Sequence, residues 1–308
     1  MLAGLVSVAY TDVANGIIIL LSFIIAIPIF LYEAGGFSGM ATSFALMGKS
    51  DHMDFWGVYS TLDIINFCLP PFLLIMGDAN MYQRFFASKD AEGAKSATKV
   101  LIIAVALAEL MIITAAWISS SMIPDAEVGK YVLIYASHKF LPTFIGAIMM
   151  TTIVGIIIST ADSFLLVPAT TLMRDIYLNY IDPKANEKKI VLLSRVLVLI
   201  LGIIAYIVSL GFARSSGFFE RALYAYTIYG ASITPSLVAA LFWKGATKAG
   251  AVSSIVTGAV VTLLWKEAGF IQDIIPSNIY NNMDEVLPAI TFSILALILV
   301  SLATKEKN

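Results

Sequence analysis

Charge is scarce in this chain. Only 13% of its 308 residues are charged, against roughly 25% in an average soluble domain. Cysteine is nearly absent, and the single Cys68 inside an apolar stretch excludes a disulfide scaffold. The two histidines, His52 and His138, lie far apart in polar connecting segments and offer no zinc-ligand spacing. Few charges and 59% hydrophobic residues exclude a disordered chain. A net charge of −2 with no isolated basic patch argues against nucleic-acid binding. No nucleophile–base or metal-ligand constellation marks an enzyme. Lysine and arginine are missing before Lys49. Residues Met1–Tyr10 are apolar, with neither a basic n-region nor a cleavage pattern, so they are not a signal peptide. They read like the end of something that began earlier.

What the chain has in excess is long apolar runs. A soluble domain of this size could not hide so much apolar surface in one core. A helix needs about 20 mostly apolar residues to cross a bilayer, and eight such stretches occur. They run over Asp12–Tyr32, Val58–Met76, Val100–Ser120, Thr143–Leu172, Ile190–Phe212, Phe218–Phe242, Ala249–Trp265 and Leu287–Ala303. The runs are continuous rather than alternating, which excludes barrel strands. The expected class is an all-α, polytopic helical membrane protein with about eight transmembrane helices, in one membrane domain over residues 1–308.

Basic residues orient the helices. Arg84, Lys89, Lys95, Lys99, Arg174, Lys184, Lys188, Lys189, Arg195, Lys244, Lys248, Lys305 and Lys307 fall on one set of connections, 13 of the 19 basic residues. Lys49, Lys130, Lys139, Arg214, Arg221 and Lys266 fall on the other. Positive charge accumulates on the cytoplasmic side, so both termini are expected there, in the cell membrane.

Ionisable groups within a span are costly. Asp162 lies mid-span, and helical spacing aligns Thr152, Gly155, Ser159, Asp162 and Ser163, with Thr160 at the margin. Such a stripe faces other helices or a water-filled path. Interhelical bonding is the plain explanation for any one serine; the whole stripe with its aspartate suits an ion pathway better. The Ser159 and Thr160 hydroxyls lie three and four residues after Ile156, within reach of its carbonyl. Together these neutral oxygens offer a hard monovalent cation three ligands, and the rest must come from another helix. The second span contains Asn66-Phe-Cys-Leu-Pro-Pro-Phe72. Each proline deletes a backbone donor, so a kink or unwinding is expected near mid-membrane, either as a packing kink or as the discontinuous helix of a transporter. Asp12 opens the first span, where capping alone would explain a carboxylate.

Several stretches, in order, resemble the sodium:solute symporter family. Tyr10-Thr-Asp-Val-Ala-Asn15 is similar to the family's aromatic-Thr-Asp-Val-x-Gln opening of the fifth core helix, with Asn15 for Gln. Gln83-Arg-Phe-Phe-Ala-Ser-Lys-Asp90 with Ala94-Lys95 is similar to the segment after the sixth. Ser159-Thr-Ala-Asp-Ser-Phe-Leu-Leu166 with Arg174-Asp-Ile-Tyr177 resembles the eighth-helix signature. Trp243-Lys-Gly-Ala-Thr-Lys-Ala-Gly-Ala251 and Val300-Ser-Leu-Ala-Thr304 resemble the late loop and last span. The resemblance implies a partial LeuT-type inverted-repeat bundle: core helices five to ten plus two peripheral helices, with the amino-terminal helices absent. It implies Na⁺ as coupling ion, bound by Ile156, Ser159 and Thr160, and no organic cofactor. It places Asp12 on the ion pathway, with Asp162. Asn66, Phe72 and Thr227 become the candidate substrate-binding residues, while the small-molecule solute stays open because aromatics of some relatives do not align over Pro71, Phe72 and Ile75.

The implied function is sodium-coupled symport by alternating access, or the carboxy-terminal part of it. The implied partners are the solute, the lipid bilayer and a separate chain supplying the absent helices. The alternatives are a non-functional fragment, and a sensory module, since similar domains precede histidine kinases; no kinase region follows the last span. A membrane enzyme is a third, less favoured class.

Overall fold

A computed structural model describes residues 5–125, 129, 131–213, 217–280 and 282–305. Met1–Gly4 of the apolar opening, and Lys130, Arg214 and Lys307 of the charge count, lie outside the described residues. Among the described residues there is no strand, as the unbroken apolar runs require. Among the described residues, eight helices are long and apolar enough to cross a membrane. They correspond one to one with the eight expected runs. Three run well beyond them: Val58–Met76 is followed by further helix to Phe86, Val100–Ser120 belongs to a helix that starts at Ala91, and Thr143–Leu172 continues to Ile181. Hydropathy finds only the lipid-facing stretch, and the polar turns added here are held otherwise. Asp90 caps the earlier start, its Oδ1 accepting from the Gly93 amide at 2.6 Å.

By internal contacts the chain divides into two compact units, residues 1–57 with 83–207, and residues 58–82 with 208–308. The first contains α1 (Leu5–Glu33), α2 (Gly36–Leu46), the second half of α4 (Ala79–Phe86), α5 (Ala91–Ser120), α6 (Val132–Phe140), α7 (Thr143–Thr171) and most of α8 (Glu187–Ala213). A wider-wound π-helical stretch, Leu172–Ile181, prolongs α7. α1 packs against α5 and α7. Its far half supplies Phe23, Ala26 and Phe30 to a core closed by Met40 and Phe44 of α2, Ala115 and Ile118 of α5, and Met149 of α7. Gly35, at φ +75°, turns the chain from α1 into α2. α8 is only 6% buried along its span. That suits a helix whose solvent is hydrocarbon.

The second unit contains α3 (Thr61–Gly77), the first half of α4, α9 (Phe218–Phe242), α10 (Lys248–Glu267), the short α11 (Gly269–Ile274) and α12 (Ser277–Tyr280), and α13 (Val286–Thr304). Lipid gives no hydrophobic drive between helices, so close packing and hydrogen bonds must hold them. Gly250, Ser254, Gly258 and Thr262 recur every four residues along α10 and all are buried. The Ser254 and Ser293 hydroxyls meet at 2.8 Å between α10 and α13. Between α3 and α9, Thr234 Oγ1 donates to the Leu73 carbonyl at 2.6 Å. A Cβ on Gly230 would lie 2.7 Å from Leu73 Cβ, so only glycine allows that approach.

Of the kink or unwinding expected at the double proline, the unwinding does not occur. The helix runs through Pro70 and Pro71 to Gly77, and the interruption falls at Asp78, before α4. Proline's fixed φ is itself helical, so the chain can continue, while each ring removes a donor and crowds the carbonyl four residues back, those of Asn66 and Phe67.

Candidate functional site

In the first unit the polar stripe of α7 meets a matching stripe on α1. The two run antiparallel, and three cross-links mark the crossing. Ser22 and Thr152 share a buried hydroxyl bond of 2.8 Å. Asn15 Nδ2 donates to the Gly155 carbonyl at 3.4 Å. Ser159 Oγ donates to Asp12 Oδ1. Asp12, Asn15 and Ser22 fall on one side of α1 because they are three and ten residues apart at 3.6 residues per turn. The α1 half of this ladder is legible from that spacing.

Arg84 is the residue that periodicity missed. It reaches Asp12 Oδ2 at 2.6 Å and Ser163 Oγ at 3.1 Å. Asp12 is thus neutralised by an arginine 72 residues away in sequence. The hints of Arg84 in the sequence are the polar pair Gln83-Arg84 beside an apolar span and the resemblance of Gln83–Asp90 to a family segment. Gln83 engages the same helix, with Nε2 donating to Thr170 Oγ1 at 3.2 Å. The ion pair is half-buried, 26% exposed on Asp12 and 38% on Arg84. Its charges are therefore partly desolvated and attract more strongly than at a fully wet surface.

Beside the pair lie the three neutral oxygens. Thr160 Oγ1 donates back to the Ile156 carbonyl at 3.0 Å. Ser159 spends its proton on Asp12, and each hydroxyl oxygen keeps lone pairs that a cation would use. Thr160 is exposed, so further ligands would have access from that side. Asp162 is half-buried and has no hydrogen bond or ion pair among the described residues. It stands next to the network without joining it. Among the described residues no three His, Cys, Asp or Glu side chains cluster as ligands for a metal; the oxygens here are of the neutral kind that suits an alkali ion.

The second unit holds the other candidates. Asn66 is 4% exposed and Thr227 1%. Asn66 Nδ2 donates to the Asn282 carbonyl at 3.1 Å. Asn66 Oδ1 and Thr227 Oγ1 are buried without hydrogen-bond partners among the described residues. Phe72 is 58% exposed. No hydrogen bond joins these three.

The model of the sodium:solute symporter family matches residues 1–258. The chain belongs to the sodium:solute symporter family. A relative, the osmoregulated proline transporter OpuE of Bacillus subtilis, is 27% identical over 313 residues, covering 99% of this chain and 61% of its own length. The sodium/proline symporter of Haemophilus influenzae is 24% identical over 321 residues, covering 99% and 61%. Among solved structures, a Na⁺-coupled sialic acid symporter in a substrate-bound outward-open state superposes with a TM-score of 0.70 at 15% identity, covering 98% of this chain and 63% of that one. The fold is therefore the partial LeuT-type bundle. This family member spans about three-fifths of the length of the curated relatives it matches.

Proposed function

We propose that this chain is the carboxy-terminal portion of a sodium-coupled symporter for a small organic solute. The observation that carries the proposal is the placement of Ser159 between Asp12 and the Ile156–Thr160 turn, with Arg84 closing the other side of the carboxylate. Ile156, Ser159 and Thr160 would hold Na⁺ through neutral oxygens, and helices outside this chain, in a longer product or a second chain, would complete the shell. Asp12 and Asp162 would attract the ion along its route. Arg84 would compete with Na⁺ for Asp12, so that a leaving ion finds a carboxylate that arginine can reclaim. Coupling needs only that Na⁺ bind one access state better than the other.

For the solute, the relatives' names favour a small polar metabolite such as an amino acid. Asn66 Oδ1 and Thr227 Oγ1 would accept hydrogen bonds near the prolines of α3, and Phe72 would offer an apolar face. Residues 1–308 would act as one membrane domain, in the cell membrane, with both termini cytoplasmic by the bias of basic residues.

The test is sodium-stimulated uptake of labelled proline in cells co-producing this chain with the amino-terminal helices of a relative. Uptake that needs both chains and Na⁺ is the expected result. Uptake by the purified chain alone in proteoliposomes would overturn the assignment of absent ligands. No uptake with any tested solute, from a stable complex, would favour an inactive fragment.

A further inference from the structure

Where α10 ends and α13 begins, the second unit buries a carboxylate that helix packing does not require. Glu285 is 4% exposed. Its ion partner, Lys266, stands 3.7 Å away, too far for a direct hydrogen bond. Lys266 is also the counter-charge of Asp284. Groups from every packed element face this corner: Lys266 and Glu267 from α10, Glu220, Arg221 and Tyr224 from α9, and Asp63 from α3. Among the described residues, five carboxylates thus share two cations. A cavity of about 560 Å³ bounded by Glu220, Arg221, Tyr224, Lys266 and Glu267 gives water a route to the lysine.

Burial raises the Glu285 carboxyl above the usual glutamate value, and its own backbone amide and Lys266 offset this only in part. Burial raises Asp284 too, with Asp63 and Glu220 adding and Lys266 opposing. The segment carrying both is tied on two sides. Trp265 Nε1 donates to the Met283 carbonyl at 3.1 Å. Tyr280 stacks on the Trp265 ring at 5.7 Å and donates its hydroxyl to the Trp265 carbonyl at 3.1 Å. Asn66 of α3 holds the Asn282 carbonyl.

We propose that Glu285 is a proton-binding site whose protonation seats residues 282–285 against α10 and α3, and whose ionisation draws water in and loosens them. The sign follows from linkage. A carboxyl that binds its proton more tightly in the seated state favours that state at low pH, and the advantage is lost as pH rises through the raised value. The seated segment holds Asn66, so the bearing on solute binding rests on the function proposed above. The proton site itself does not.

Trp265 supplies the readout in the purified full chain, without sodium or solute. The fluorescence component absent from Trp265→Phe should shift red as pH rises, with a midpoint above the ~4.3 of a free glutamate. Glu285→Gln, which mimics the protonated form, should hold the emission at its acid position and abolish that transition. Lys266→Met removes the opposing cation and should move the midpoint to higher pH. A transition that persists in Glu285→Gln, or that disappears in Asp284→Asn instead, would overturn the proposal. So would a Lys266→Met midpoint that does not move, a test that stands even if Glu285→Gln folds poorly.

Discussion

The α10–α13 and α3–α9 seams of the second unit and the α1–α7 seam of the first use polar side chains for opposite ends. In the second, serine, threonine and glycine bring helices close: the Ser254–Ser293 and Thr234–Leu73 bonds close on themselves. In the first, the seam between α1 and α7 begins the same way at Ser22–Thr152, then changes character toward Asp12, where charge enters and hydroxyl lone pairs stay open. A closed bond in hydrocarbon is packing. A seam with an ion pair and spare acceptors is costly unless it is used.

The largest effect that would sharpen this contrast is steric. A Cβ on Gly258 would sit 2.6 Å from the Ala231 carbonyl oxygen and 2.8 Å from Ser232 Cα. These are backbone atoms that cannot rotate away. Gly258→Val should therefore cost about 3 kcal/mol through overpacking, seen as a lower melting temperature and loss of a monodisperse peak. Gly16 on α1 has nothing within 4 Å of its would-be Cβ. Gly16→Ala should be neutral or gain up to about 1 kcal/mol of helix propensity. Equal tolerance at both sites would deny that Gly258 sits in a close-packed seam.

Next in size is the effect on sodium, measured with the amino-terminal helices present. Ser159→Ala with Thr160→Ala removes the two hydroxyls proposed as sodium ligands and little packing. Losing about 1–3 kcal/mol of contact corresponds to roughly 5- to 150-fold more sodium for half-saturation. Solute affinity should fall mainly at low sodium, by linkage. An unchanged sodium activation curve would make this seam as structural as that between α10 and α13. Arg84→Gln should act in the other direction and more weakly. It frees the Asp12 carboxylate, so half-saturating sodium should drop a fewfold while maximal uptake slows. A raised sodium requirement instead would show that Arg84 helps to hold the ion rather than displace it.

These residues also mark how far the sequence could be read. The eight spans were legible because lipid demands long uninterrupted apolar runs. The α7 stripe was legible because helical spacing puts Thr152, Ser159 and Ser163 on one side. The partner of Asp12 was not, since a bond from Arg84 across 72 residues leaves no periodic trace. The interruption of α3 was misplaced for a related reason. Pro70 and Pro71 announce a weakness in the local chain, while the interruption at Asp78 is set by partners far off in sequence: Thr234 takes the Leu73 carbonyl and Tyr229 takes the Ala79 amide at 3.3 Å. The corner around Glu285 left no mark either, because its carboxylate reads as an ordinary loop charge until burial is known.

The smallest expected effect belongs to the ion pair that most resembles the Asp12–Arg84 pair on paper. Lys189 Nζ lies 2.8 Å from Asp182 Oδ2 in the first unit, and the side chains are 50% and 33% exposed. The Lys189 bond holds the Asp182 carboxyl below the usual aspartate value, and Tyr177 adds to this. A lowered carboxyl contributes its stability above the unfolded value and loses it as pH falls through the folded one. Water screens the pair and two long side chains must be ordered to make it. Asp182→Asn should therefore leave the melting temperature unchanged within scatter at neutral pH, and the two proteins should converge further on acidification. Sodium activation should be unaffected, because neither residue bonds to the Asp12–Ser159 network. A melting loss comparable to that of Gly258→Val would show that exposed charge, and not only close packing, holds the first unit together.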